Sequence, residues 1–194
     1  VLKCLGVGYR VCGADWAKYE TTVFKAIHPD VHAPEIIHPA AIRLPHLEGK
    51  PLSSLHGPEL AAAAVRAFAE MGRFHRAGVC MIHGDPHAGN FLHDEAAGRC
   101  RMIDFETAPL SGSCPDRSRA CDFAILLLDL VRRDPELLTP DRFCEWYAAY
   151  GLDEARCPVR HLFASASWQL RLYWRLLGYP VAMVVSFVNR SPRR

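Results

Sequence analysis

The run ACDFAILLLDLVRR, Ala120 to Arg133, constrains this chain more than any other stretch. It is apolar nearly all round a helical wheel, the signature of a helix buried on every side. Such a helix needs other elements wrapped about it, and a chain of 194 residues can supply them as one domain, or one domain with a small partner lobe. Asp122 stands near the start of this run, where a carboxylate is costly unless hydrogen-bonded. The spacing therefore predicts a buried helix with an architectural aspartate.

Upstream, VLKCLGV reads as a short strand, and GVGYRVCG as its connection to a helix over WAKYETTVFKAI, capped by Asp15 and stopped near Pro29. PEII and AAIRL read as brief strands of a small sheet, and PHLEGKPLSSLHG as a linker. Pro58 opens a strong helix whose apolar face is Leu60, Ala64, Phe68, Met71 and His75, ending at Gly78. VCMIHG and CRMIDF read as strands. Further helices are expected over 140–150 and 160–177. The organisation is a small mixed lobe, a hinge, then a mostly helical lobe with a short sheet.

Those two strand-like runs bracket the polar residues of the stretch MIHGDPHAGNFLHDEAAGRCRMIDFE, Met81 to Glu106. Asp85 precedes Asn90 by five residues and Asp104 by nineteen. Each carboxylate follows an apolar run, so a hairpin would bring both to one end of a sheet. Asn90 and Asp104 offer hard oxygen ligands suited to Mg²⁺ and phosphate. Asp85, nearby but not ligating, suits proton acceptance from a hydroxyl. Metal ions on the phosphates and a carboxylate at the nucleophile are the parts that phosphoryl transfer requires.

HGDPHAGN followed by IDFE resembles the catalytic and metal-binding loops of the protein-kinase-like superfamily. The nearer likenesses are its atypical branches: lipopolysaccharide core (Kdo and heptose) kinases, aminoglycoside and choline phosphotransferases, and the atypical kinases of ubiquinone biosynthesis. Typical protein kinases carry H-R-D-x-x-x-x-N and D-F-G; Gly84 and Glu106 depart from both, towards small-molecule or glycolipid kinases. The resemblance implies an α+β, two-lobed kinase-like fold, with a truncated N-terminal lobe over 1–47 and a helical C-terminal lobe over 48–194. It implies Asp85 as catalytic base, Asn90 and Asp104 as Mg²⁺ ligands, and His83 as a brace of the loop. Asp122 would receive hydrogen bonds from that loop. Lys3 and Glu20 would form the phosphate-facing ion pair, and the backbone from Pro45 to Leu47 would meet adenine, Pro45 through its carbonyl alone. His87 matches a position that often carries a polar residue. The family's glycine-rich phosphate loop precedes its lysine, and here only Val1 and Leu2 do.

The implied activity is an ATP- and Mg²⁺-dependent transfer of the γ-phosphate to a hydroxyl of a sugar, glycolipid or other small molecule. The alternative is a nucleotide-binding pseudokinase or truncated regulatory module without turnover. A lipid kinase of the ubiquinone type would need additional N-terminal motifs, and a plain helical scaffold leaves the HGDPHAGN–IDFE spacing unexplained.

Composition sets further bounds. A net charge of +2 makes no strong case for nucleic acid. The eight cysteines form no CxxC or zinc-type spacing, so reduced thiols in a cytoplasmic setting are expected. Position 1 is Val and no signal-peptide pattern follows, so an upstream segment has been removed or the chain is a fragment. No run reaches the roughly 18–20 apolar residues of a membrane-spanning helix. The nearest, Leu176 to Val188, is broken by Gly178 and Pro180 and reads as a core helix or strand end. Its flanks WQLRLYWR and NRSPRR also suit a membrane–water interface, which leaves a peripheral contact at the inner face of a membrane as the alternative.

Overall fold

A computed structural model describes residues 9–11, 15–39, 41–77, 82–105, 107–109, 115–151, 175–176 and 178–190. Its organising element is the helix Pro115–Arg133 (α3), in which every residue from Ala120 to Val131 is buried. Around it, among the described residues, stand four further helices of ten or more residues and small antiparallel sheets, an α+β arrangement.

The first helix, α1, spans Trp16–Ile27 and buries Ala17, Glu20, Val23, Phe24 and Ile27 on one stripe. Asp15 occupies its N-cap position, yet the side chain makes no cap hydrogen bond, contrary to the sequence expectation. Its backbone there (φ −93°, ψ 9°) is not the extended conformation that aims a capping side chain at the first turn. At the other end Arg73 Nη2 donates to the Ile27 carbonyl at 2.8 Å, closing one of the helix's open acceptors.

The helix α2, Gly57–Arg76, buries Leu60, Ala64, Phe68, Met71 and His75, the face read from the sequence. Glu59 in its first turn and Arg73 and Arg76 in its last oppose the helix dipole favourably. It crosses α4, Pro140–Tyr150, so closely that a Cβ on Gly72 would collide with the Tyr150 carbonyl. Arg76 Nη1 donates to that carbonyl at 2.8 Å, and Gly151 ends α4 in the left-handed region at φ +71°. The last described helix, α5, is Val181–Arg190; Val181, Val184 and Val188 turn into the core. No helix among the described residues is long and apolar enough to cross a membrane.

The strands are short. Tyr9–Val11 (β1) pairs antiparallel with Thr107–Pro109 (β7), so the segment read as a mere connector contains a strand. Glu35–His38 (β2) pairs with Ala41–Arg43 (β3). Lys50–Pro51 (β4), Phe91–Asp94 (β5) and Arg99–Met102 (β6) form a three-stranded sheet. The partner of CRM is thus FLHD, not VCMI; of the latter run only Ile82 is described, and it is outside any strand. Pro45 to Leu47 lie in the irregular connection from β3 to β4, with Leu47 packed on the core. One hydrophobic cluster takes in Val23, Phe24 and Ile27 together with α2, α3 and α4, so the core runs continuously across residue 47. The strand expected around Lys3 and nearly all of the helix expected over 160–177 lie outside the described residues.

Candidate functional site

The β5–β6 hairpin builds the centre of the site. Phe91 faces Met102 at its open end, so Asn90 immediately precedes one strand and Ile103–Asp104 follow the other. Ile103 N–H donates to the Asn90 carbonyl at 3.0 Å, extending the ladder to those residues. The register therefore brings Asn90 and Asp104 together, although the hairpin is not the one the sequence suggested. Asp104 sits at φ +69°, the left-handed region that non-glycine residues seldom enter and that marks functional constraint when the surroundings enforce it. Phe105 supplies that enforcement, buried and stacked on Phe74 of α2 at 5.5 Å with His83 5.4 Å away.

Asp85 is tied to the same end. Asn90 Nδ2 donates to the Asp85 carbonyl at 3.0 Å, which leaves the Asn90 amide oxygen available as a ligand atom. Asp85 N–H reaches His83 Nδ1 at 3.3 Å, while His83 Nε2 lies 2.9 Å from the Ile103 carbonyl. One imidazole thus braces the loop carrying Asp85 against the residue before Asp104. Burial lowers the His83 pKa, and the neutral Nε2–H tautomer satisfies both contacts.

The loop is clamped from beneath by α3. Asp122, fully buried, accepts from His83 N–H at 2.7 Å and Gly84 N–H at 2.8 Å. Its Oδ2 also meets His75 Nε2 at 2.9 Å, and His75 Nδ1 meets Tyr150 Oη at 2.6 Å. Burial, then the Asp122 charge, raises the Tyr150 pKa, so this hydroxyl stays protonated and donates. Two turns further along α3, Asp129 accepts from Ala88 N–H at 2.8 Å and pairs with Arg132 and Arg133 at 2.5 and 3.2 Å. Burial would raise the Asp129 pKa, but the Ala88 N–H and the two guanidinium groups outweigh it and hold the carboxyl below its ordinary range. Sequence reasoning missed Asp129. Its signal was available: a second carboxylate in the same apolar run, seven residues after Asp122 and so on the same helix face.

Gly84 has a local cause. It sits at φ +79°, and a Cβ there would collide with the Thr107 side chain, whose hydroxyl donates to the His83 carbonyl. Gly84→Ala should cost about 1–3 kcal/mol in urea denaturation, through the left-handed backbone and the collision together. Adding Thr107→Ala should recover only the collision part. An alanine variant as stable as the parent would show that the loop and β7 do not meet this way.

Of the remaining expected residues, Glu20 is buried on the α1 stripe, and its presumed partner Lys3 lies outside the described residues, as does Glu106. His87 accepts from Gly89 N–H at 3.0 Å, capping the short turn Ala88–Asn90, a structural use of that side chain. Among the described residues no group of three His, Cys, Asp or Glu side chains is arranged to hold a metal. The donor set fits Mg²⁺ in another way: one amide oxygen and one carboxylate, both hard, leave the remaining positions to phosphate and water. The Asp104 carboxylate, half-exposed, makes no hydrogen bond or ion pair with a described residue, so it is not already consumed by the fold.

The site also sets an acid limit on stability. His28 Nε2 donates to the Met102 carbonyl at 2.7 Å and its Nδ1 faces Arg101 Nη1 at 3.3 Å, so it too is held neutral, its pKa lowered by burial first. Both imidazoles stay uncharged in the fold, while the unfolded chain takes up protons as pH drops past about 6.5. Their stabilisation is complete above that value and is lost as pH falls towards the folded pKa values. The slope should approach about 1.4 kcal/mol per pH unit for each histidine. Urea melts between pH 7.5 and 5.5 check this; a flat profile would mean that neither ring is held neutral.

No protein-family model matches the chain, and no curated protein matches it.

Proposed function

We propose that the chain is a phosphotransferase of the kinase-like class, using Mg²⁺ and ATP to phosphorylate a hydroxyl on a sugar, glycolipid or other small molecule. The observation that carries this reading is the convergence of Asp85, Asn90 and Asp104 at the open end of one hairpin, fixed through Asn90 Nδ2, His83 and the Ile103 N–H. In it, Asp85 orients the acceptor hydroxyl and takes its proton. Asn90 and Asp104 hold the metal, which when bound would neutralise charge on the phosphate oxygens. Lys3 steadied by Glu20 would face the phosphates, and the backbone from Pro45 to Leu47 would receive the adenine edge. Asp122 and Asp129 keep the loop rigid, so that Asp85 and Asn90 need not be reorganised when substrate arrives. The two-lobed kinase-like architecture belongs to the same reading.

The direct test is nucleotide titration with and without Mg²⁺, alongside phosphate transfer to a panel of sugars, glycolipids and proteins. Mg²⁺-dependent ATP binding with transfer to a small-molecule hydroxyl is the expected result. Binding without transfer or hydrolysis would establish the pseudokinase alternative instead. Absence of Mg²⁺-dependent nucleotide binding would end the proposal.

A further inference from the structure

Two one-turn helices meet beside the candidate site. Leu52–Ser54 follows β4 directly, and Ala88–Asn90 leads the loop from Asp85 into β5. They approach closely: a Cβ on Gly89 would collide with the His87 ring at 2.8 Å and come within 3.9 Å of Ser53 Oγ. The ladder beside them pairs Lys50 with His93 and Pro51 with Leu92 and goes no further. A pairing that short is a weak tie, below the length at which strands usually run.

The helix α3 supplies a second tie. Arg133 Nη1 donates to the Ser53 carbonyl at 3.2 Å, and Nε of the same guanidinium donates to Asp129 Oδ2 at 3.2 Å. That carboxylate oxygen is the one that accepts from Ala88 N–H at 2.8 Å. A relay therefore runs from the Ser53 carbonyl, through one planar fork and one oxygen, to the loop between Asp85 and Asn90. Asp129 is fully buried and the Arg133 side chain is 28% exposed, so the core fixes the carboxylate and the guanidinium reaches outward from it. Neutralising Asp129 does not by itself require Arg133, because Arg132 already meets the other oxygen, Oδ1, at 2.5 Å. What Arg133 adds is two separate donors in one rigid group; a lysine there keeps the charge and loses the fork.

We propose that Arg133 is a positioning residue: it latches the turn after β4 to the loop that carries Asp85 and Asn90, and so fixes the spacing between the linker side and the metal side of the site. The binding consequence rests on the nucleotide reading given above; the latch itself does not. A ligand spanning both sides, Mg·ATP, gains from a spacing set in advance. Adenosine, which lacks the phosphates, does not.

Amide hydrogen exchange of the ligand-free full chain, read at Ala88 and Leu55, tests the latch. Leu55 N–H closes its turn onto the Leu52 carbonyl at 3.1 Å, so each amide reports the opening of its own segment. Arg133→Gln should speed exchange at both by about threefold to tenfold, the size expected for a part-exposed charge-assisted contact, with the urea midpoint as in the parent. Arg133→Lys should do the same. Arg132→Gln, which takes an arginine from the same carboxylate without touching Ser53, should leave Leu55 exchange unchanged. In titrations, Arg133→Gln should weaken Mg·ATP by about threefold to tenfold and leave adenosine affinity as it was. Full rescue by lysine would reduce Arg133 to a counter-charge and overturn the proposal. So would faster exchange at only one of the two amides, or equal losses for adenosine and Mg·ATP. If the parent binds no Mg·ATP, the phosphotransferase reading fails, and exchange at the two amides still decides whether the latch exists.

Discussion

Asp85→Asn should abolish nearly all turnover, a loss of about 10²–10⁴-fold, while Mg²⁺-dependent nucleotide binding stays as in the parent. Asp85 is anchored through its backbone, by Asn90 Nδ2 at its carbonyl and His83 at its N–H, so changing its side chain leaves those ties standing. What disappears is the proposed proton acceptor. Asp104→Asn should behave differently, because it removes the charged ligand of the pair proposed to hold the metal. Nucleotide binding should then lose its Mg²⁺ dependence together with catalysis. Equilibrium titrations and steady-state transfer on the same two variants separate these outcomes. Equal loss of binding and turnover in both would mean that the two aspartates do not have distinct roles.

The second large effect is on stability. Asp122→Ala strands two loop N–H groups and the His75 ring at a fully buried position. Each buried donor left without its partner costs about 1–3 kcal/mol. Asp122→Asn keeps one acceptor oxygen and should cost less, about 1–3 kcal/mol. Tyr150→Phe, which removes only the far end of the chain of contacts, should cost least. Urea denaturation of the three variants gives the ranking. An Asp122→Ala variant as stable as the parent would contradict the clamp.

Much of the candidate site's arrangement was legible in the sequence, and the reason is chemical. Asp85, Asn90 and Asp104 stand out because polar residues at fixed offsets beside apolar runs have few structural uses. The buried helix was equally plain, since its apolar character goes all round. The hairpin was misread because FLHD does not look like a half-buried strand. Phe91 and His93 are its buried positions, and a histidine facing inward hides the alternation that would have marked it. VCMI, wholly apolar, looked the better strand. Asp15 was read as a cap from residue type alone, and capping depends equally on backbone angles. The contacts among Tyr150, His75 and Asp122 join residues 75 and 47 apart along the chain, a pairing that no local pattern encodes.

The β5–β6 turn, Glu95 to Gly98, carries one more consequence. It is exposed, Asp94 Oδ1 holds the Ala97 N–H, and a side chain at Gly98 would meet open space. At the strand rise of about 3.3 Å per residue it lies roughly 13 Å from the end that carries Asn90 and Asp104. Severing the chain between Ala96 and Ala97 would give one fragment bearing His83, Asp85 and Asn90 and another bearing Asp104, Asp122 and Asp129. Neither fragment owns the site. Recovery on mixing of the proposed phosphoryl transfer, once shown for the intact chain, would make the turn a switchable seam, where two inert polypeptides report their own encounter.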